Sequence, residues 1–341
     1  MLKNLSKLRK KGNLILQLLI FAATCIFIYF QVFSKADFPG FIGVIKKISD
    51  EPGVPSQFRI ILVLMLLNWC LEAVKWKFLI GKIEKIGFFK ALQAVLAGIS
   101  ISSFTPNRTG EFIGRVFILK KSSVVEGILI TLVGSMGQLL VTVVAGSASL
   151  LVFVMHYFTE AVFSHHYIFI GMTVLLVVFN LLLLGLYLNL SFLATLKERM
   201  LKNRLKKLRR FFRVFALYRK RELLMVLLLS LMRYAVFSTQ FFLLLQVFDV
   251  RIPFLSALIL ISLTYFIMAV IPTVALTELG IRGSVALYFF GFFFDQPDVF
   301  EGTVKLGILA ASTSLWLINI GLPALLGTIF IFRLQFFRAR V

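Results

Sequence analysis

The chain has 341 residues, 60% of them hydrophobic and 15% charged, with a mean hydropathy of +0.95 and a formal net charge of +22. A soluble globular domain is nearer half apolar, with about a quarter of its residues charged, so that class is excluded. Several apolar runs reach the about 20 residues that a bilayer-crossing helix needs, and the short alternating segments of a transmembrane barrel are missing; the chain reads as an all-α, polytopic membrane protein.

A first span is expected at 14–33. Lys3, Lys7, Arg9, Lys10 and Lys11 precede it and place the N-terminus in the cytoplasm by the positive-inside rule. The run is long for a signal-peptide core and no small-residue cleavage site follows, so the span is expected to be retained. Pro39, Gly40, Pro52, Gly53 and Pro55 punctuate the next loop, with a short interfacial helix suggested near Phe38 to Ile45. Further spans are expected at 58–80, 124–155, 167–190, 222–248 and 303–332. A basic linker at 197–221 joins a first half, about 1–190, to a second, about 222–341, within a single integral membrane domain. Leu201, Leu205, Leu208, Phe211, Phe212 and Phe215 interleave with its positive charges, as in an interfacial amphipathic helix on anionic lipid. Arg333, Arg338 and Arg340 place the C-terminus in the cytoplasm as well. Because the basic residues gather in loops beside spans, their reading is membrane orientation and anionic lipid, with nucleic acid excluded.

Two intervals, 86–121 and 250–301, begin and end on one side of the membrane by charge count. In the first, the arm 88–104 is marginal for crossing and the arm 112–119 too short; in the second, 252–271 is long enough to cross and 285–294 is not. The charge-consistent solution is six full spans and two re-entrant hairpins, one from each face. The hairpin breaks read TPNRTGEFIGR (from Thr105) and IPTVALTELGIR (from Ile271), with Pro106, Gly110, Pro272 and Gly280 marking them. Each carries a Glu four residues before an Arg, Glu111 with Arg115 and Glu278 with Arg282, which share one helical face. Matching motifs in hairpins of opposite orientation are what an inverted repeat predicts; in transporters such breaks lie near the midplane with helix N-termini facing anionic groups. Backbone broken at membrane depth must be buried in protein or line a wet cavity, so the breaks are expected to face each other.

An ionisable residue inside a span is a functional candidate, since it costs about 2.5–3.5 kcal/mol at the bilayer centre. Arg233 lies mid-span, either lining an anion path or partnering a buried Glu. Asn68, Glu72 and Lys75 share one face of the second span; Glu72 and Lys75 neutralise each other, or Lys75 snorkels to the interface. Gly134, Ser135, Gly137 and Gln138, and likewise Ser312, Ser314 and Asn319, read as helix packing. Cys25 and Cys70 read as small packing residues. His156, His165 and His166 lack metal-ligand spacing, and no metal or cofactor is expected. No Walker loop, HExxH or GxSxG occurs, so the chain is not expected to be an enzyme; Glu111 and Glu278 leave an intramembrane acid/base activity as a lesser alternative.

These residues carry a resemblance. TPNRTGEFIGR, with Thr105, Pro106, Arg108, Gly110, Glu111 and Arg115, resembles the first motif (roughly TPgr.GE..r) of the integral-membrane domain family named for lysylphosphatidylglycerol synthases. IPTVALTELGIRG, with Pro272, Leu279, Gly280, Ile281 and Arg282, is similar to its second motif (roughly P.p.GGlGvrE), except that Glu278 stands where a Gly is usual and Gly283 where a Glu is usual. The resemblance implies a lipid-handling membrane domain and, in some members, transfer of anionic or aminoacylated lipid between leaflets; the synthase domain of two-part members has no counterpart in these residues.

The leading expectation is a flippase for a lipid with an anionic headgroup, a phospholipid, aminoacylated phospholipid or polyisoprenyl phosphate, moving passively or by ion coupling in a bacterial or archaeal plasma membrane. Thr105, Asn107, Arg108, Arg115, Arg233 and Arg282 are expected to bind the headgroup, with Glu72, Lys75, Glu111 and Glu278 orienting the arginines or exchanging a proton. The runner-up is a non-transporting membrane subunit of a cell-envelope lipid or glycan synthesis complex. Partners expected are the bilayer and an anionic lipid, with a second copy of the chain and cell-envelope enzymes as further candidates.

Overall fold

A computed structural model describes residues 54–103, 105, 108–119, 123–190, 214–272, 275–294 and 302–332, with scattered positions between 12 and 26. Most of the expected first span, the 38–45 helix, most of the basic linker, the C-terminal arginines, Pro106 and Asn107 lie outside these residues.

Every regular element among the described residues is helical. In chain order they are α1 (Val54–Ile80), α2 (Phe88–Ser102), α3 (Gly110–Val116), α4 (Val124–Tyr157), α5 (Thr159–Ser164), α6 (His166–Leu188), α7 (Lys220–Val247), α8 (Phe254–Val270), α9 (Ala275–Phe293), α10 (Thr303–Trp316) and α11 (Leu322–Ile331). A π-turn, Leu317–Gly321, joins α10 to α11, so that Thr303–Ile331 is one long rod. Pro323 follows directly; it has no N–H to give the carbonyl four residues back, that of Asn319, and the widened turn accommodates the lost helical bond.

Among the described residues, five helices are long and apolar enough to cross a membrane: α1, α4, α6, α7 and the α10–α11 rod. They coincide with five of the six expected spans. Their apolar surfaces divide by neighbour. Most of the α10–α11 rod is buried inside the bundle, whereas the apolar window of α6 is wholly unburied, as suits a peripheral helix among lipid tails.

The two intervals form helix–break–helix units. In the first, α2 has 15 residues and α3 only 7, about 10 Å of rise. The second departs from expectation. Its returning arm, α9, has 19 residues and starts at Ala275, ten residues before the expected apolar arm. The helix therefore runs through Glu278, Gly280 and Arg282, and the break falls between Val270 and Ala275. Gly280 is a helical residue with open space where a Cβ would stand, so it marks no break. Hydropathy discounts this turn of helix because it carries charge; Glu278 pairs with Arg108 of the first unit and with Arg282 of its own helix.

The packing repeats. α2 runs along α11, and α8 along α4; α1 packs on α2 and α7 on α8; α3 meets α4 and α9 meets α10. Exchanging α1–α4 with α7, α8, α9 and α10–α11 maps each of these contacts onto another. The pair α1 and α7, which pack on each other, maps onto itself and forms the centre. Two buried apolar clusters flank that centre. One gathers α7, α8, α9 and α10 around Phe241, Leu260 and Phe290; the other gathers α1, α2, α4 and α7 around Trp76, Ile130 and Leu223.

Close backbone approach holds the first hairpin together. A Cβ on Gly114 would stand 2.8 Å from the Cα of Gly98, and one on Gly110 would stand 2.6 Å from the carbonyl oxygen of Ile101. Such small-residue contacts drive helix association in lipid, where there is no hydrophobic gain in bringing helices together.

Candidate functional site

The first break is a structured turn. The Thr105 hydroxyl donates to the carbonyl of Ser102 (3.2 Å) and accepts the N–H of Gly110 (2.8 Å). Thr105 thus builds the turn. Arg108 follows with φ of 55°, the left-handed region that non-glycine residues seldom adopt. Such backbone persists only where its surroundings over-determine it. Here the guanidinium crosses to the second hairpin: Nη2 stands 2.6 Å from Glu278 Oε1 and Nε donates to Oε2 at 3.3 Å. Arg282 Nη2, one turn along α9, donates to the same Oε1 at 2.6 Å. The two breaks meet through these ion pairs, across 170 residues of chain.

A second set of charges centres on Glu72. Glu72 of α1 is buried and binds three cations: Arg115 Nη1 at 2.7 Å, Lys75 Nζ at 2.8 Å and Arg233 Nη1 at 2.9 Å. Arg115 also pairs with Glu111, four residues before it. Its side chain is only 3% exposed and spans from α3 to α1, so it acts as a strut between them. Lys75 is buried beside Glu72, which answers the alternative left by the sequence: it pairs and does not snorkel. Arg233 partners the buried Glu72, one of the two readings given to it; its side chain is 21% exposed, with its guanidinium carbon 5.2 Å from the Phe237 ring centre.

Sequence reasoning missed the chain of amides beneath Arg233. Arg233 Nε donates to Asn68 Oδ1 (2.8 Å), Asn68 Nδ2 to Asn319 Oδ1 (2.7 Å), Asn319 Nδ2 to Gln240 Oε1 (3.1 Å), and Gln240 Nε2 to the carbonyl of Ile61 (3.1 Å). Asn319, expected as a packing residue, instead joins α1 to α7 from within the π-turn. The usable signal was an amide at mid-span in each of three apolar helices; each buried amide requires partners. The packing reading of α4 fits its glycines: a Cβ on Gly134 would stand 2.8 Å from Leu79 Cδ1, and one on Gly137 would stand 2.8 Å from the Tyr187 hydroxyl.

The gathered residues are thus Arg108, Glu278 and Arg282 on one side, and Glu72, Lys75, Glu111, Arg115 and Arg233 on the other, linked through the first hairpin, which supplies Arg108 to one set and Glu111 and Arg115 to the other. Exposure is graded. The Arg108 side chain is 37% exposed and that of Glu111 25%, while Glu72, Lys75 and Arg115 form a closed floor. The N-terminal first turns of α3 and α9 already hold carboxylates, Glu111 and Glu278. Among the described residues, no three His, Cys, Asp or Glu side chains gather in a metal-binding group.

An all-helical bundle with at least five candidate spans and a charged centre defines a polytopic integral membrane protein. The family model for the lysylphosphatidylglycerol synthase TM region matches residues 14–293, and the chain belongs to that family. No match was found among curated proteins or among solved structures.

Proposed function

We propose that the protein moves a lipid with an anionic headgroup between the leaflets of a plasma membrane. The observation that carries this reading is the meeting of the two hairpin breaks, Arg108 on Glu278, above a floor of buried ion pairs at the centre of an apolar bundle. Ionisable groups at such a place mark substrate or ion pathways. Membership of a family described by lysylphosphatidylglycerol synthesis agrees with a lipid substrate. In this reading the two helix–break–helix units are re-entrant and enter from opposite faces, both termini are cytoplasmic, and the repeat is inverted. The seven-residue α3, far short of a span, and the paired packing of the two halves support it. The partly exposed Arg108 and Arg233, with Arg282, receive the headgroup; Glu278 and Glu72 hold these arginines until it arrives. Arg115 is the strut that keeps the site's shape. Movement is passive or coupled to an ion and needs no nucleotide.

The test is lipid movement in reconstituted liposomes, followed by dithionite quenching of a labelled anionic lipid. Wild-type protein is expected to accelerate exchange, and Arg108→Gln with Arg282→Gln to reduce it at least about tenfold, a loss of about 1.4 kcal/mol in barrier stabilisation. Equal rates for wild type and double variant would sink the assignment.

A further inference from the structure

The charges of the site do not balance. Five cationic side chains, Lys75, Arg108, Arg115, Arg233 and Arg282, stand against three carboxylates, Glu72, Glu111 and Glu278. Two positive charges remain. Each of the two clusters carries one: Arg108 and Arg282 exceed Glu278, while Lys75, Arg115 and Arg233 exceed Glu72 and Glu111. Uncompensated charge is costly away from water. It is tolerated where a counter-ion of matching charge completes the site. The surplus also lies toward the open edge: Arg108 and Arg233 are the more exposed cations, and the floor is internally paired. Nor is the donor capacity used up, for the buried Nε of Arg115 and Nε of Arg282 have no hydrogen-bond partner.

We propose that the site is matched to a doubly charged phosphate monoester headgroup rather than to a phosphodiester. This rests on the anionic-lipid reading and narrows it to one substrate class. A diester carries one negative charge and leaves one of the clusters uncompensated. A monoester in its dianionic form neutralises both, with three terminal oxygens for the forked donors of Arg108, Arg233 and Arg282. The preference is therefore set by the second ionisation of the phosphate, at a pKa of about 6. The groups facing that phosphate are the eight charges named above, with Tyr265 of α8 within electrostatic range of Arg282.

The experiment compares dioctanoyl phosphatidic acid with dioctanoyl phosphatidylmethanol, which differ by one methyl ester, binding to the full chain in detergent by calorimetry. At about pH 7 the monoester is expected to bind at least tenfold tighter, and at about pH 5.5, below its second ionisation, the ratio is expected to fall below about threefold. The diester serves as the control for any titration of the protein itself. Arg108→Gln, which removes one surplus charge, is expected to lower the ratio at the higher pH; Glu111→Gln, which adds one, is expected to raise it. Both sit at partly exposed positions, and opposite responses separate charge matching from headgroup size. Inorganic phosphate is the third arm: if it binds as tightly as the short-chain monoester, the site takes a soluble anion and the lipid assignment is overturned. Equal binding of the two lipids at the higher pH, a ratio indifferent to pH, or no binding of either lipid overturns the inference. Lipid movement in liposomes without monoester preference overturns it while sparing the transport reading; preference in binding without any movement does the reverse.

Discussion

Glu72→Gln is the substitution that weighs most on the charged centre. The carboxylate lies within 2.7–2.9 Å of Arg115, Lys75 and Arg233, and is buried with two of them. Removing one partner of a buried pair costs about 3–5 kcal/mol, because the remaining charge has neither water nor counter-charge. Here the loss is shared unequally. Arg115 keeps Glu111 and Arg233 keeps the Asn68 carbonyl, so Lys75 is the cation most exposed to the change. The local surplus rises from one positive charge to two. Adding Lys75→Gln returns it to one. Glu72→Gln is therefore expected to destabilise the protein by about 3–5 kcal/mol, and the double variant to recover about half of that loss. SDS-induced unfolding followed by tryptophan fluorescence is the assay, since Trp69 and Trp76 lie on α1 on either side of Glu72. A single variant within about 1 kcal/mol of wild type, or a double variant less stable than the single, would refute the argument that Glu72 balances a buried surplus.

Other outcomes follow from packing and polar satisfaction. Asn319→Leu removes a donor to Gln240 and an acceptor for Asn68; at about 1–3 kcal/mol for each group left unsatisfied, a loss of at least about 2 kcal/mol is expected in the same unfolding assay. Gly327→Ala is expected to separate α11 from α2, because its Cβ would collide with the carbonyl oxygen of Leu96; the check is loss of a monodisperse peak on size-exclusion chromatography. Gly280→Ala meets open space within a helix and is expected to keep wild-type stability or gain up to about 1 kcal/mol. Arg108→Ala with Glu278→Ala, taken as a double-mutant cycle, is expected to show a smaller coupling than Arg115→Ala with Glu72→Ala, since Arg108 is partly solvated and Arg115 is not; equal couplings would contradict the graded exposure of the site.

The hairpin tips show where sequence reading succeeds and where it stops. TPNRTGEFIGR announced its own break, because a Pro and two Gly residues interrupt an apolar run and the seven-residue return is too short to cross. In IPTVALTELGIR, hydropathy discounts the helical turn that carries Glu278 and Arg282, so the apolar arm 285–294 covers only the later part of α9. The i,i+4 pairs were legible since helix geometry alone sets them. Asn319 was not, because an amide in an apolar helix looks the same in sequence whether it packs or hydrogen-bonds.

By itself, then, the sequence determined the class, the location of five described spans and the charged residues within the apolar helices, since each depends on local composition judged against the thickness of a bilayer. Only the tertiary structure decided which charge meets which. Glu278 holds Arg108 from the other hairpin, Glu72 gathers cations from α1, α3 and α7, and Thr105 serves the turn. Those pairings depend on helices distant in sequence lying side by side. In a medium that offers a buried charge no water, they determine which carboxylate each arginine meets.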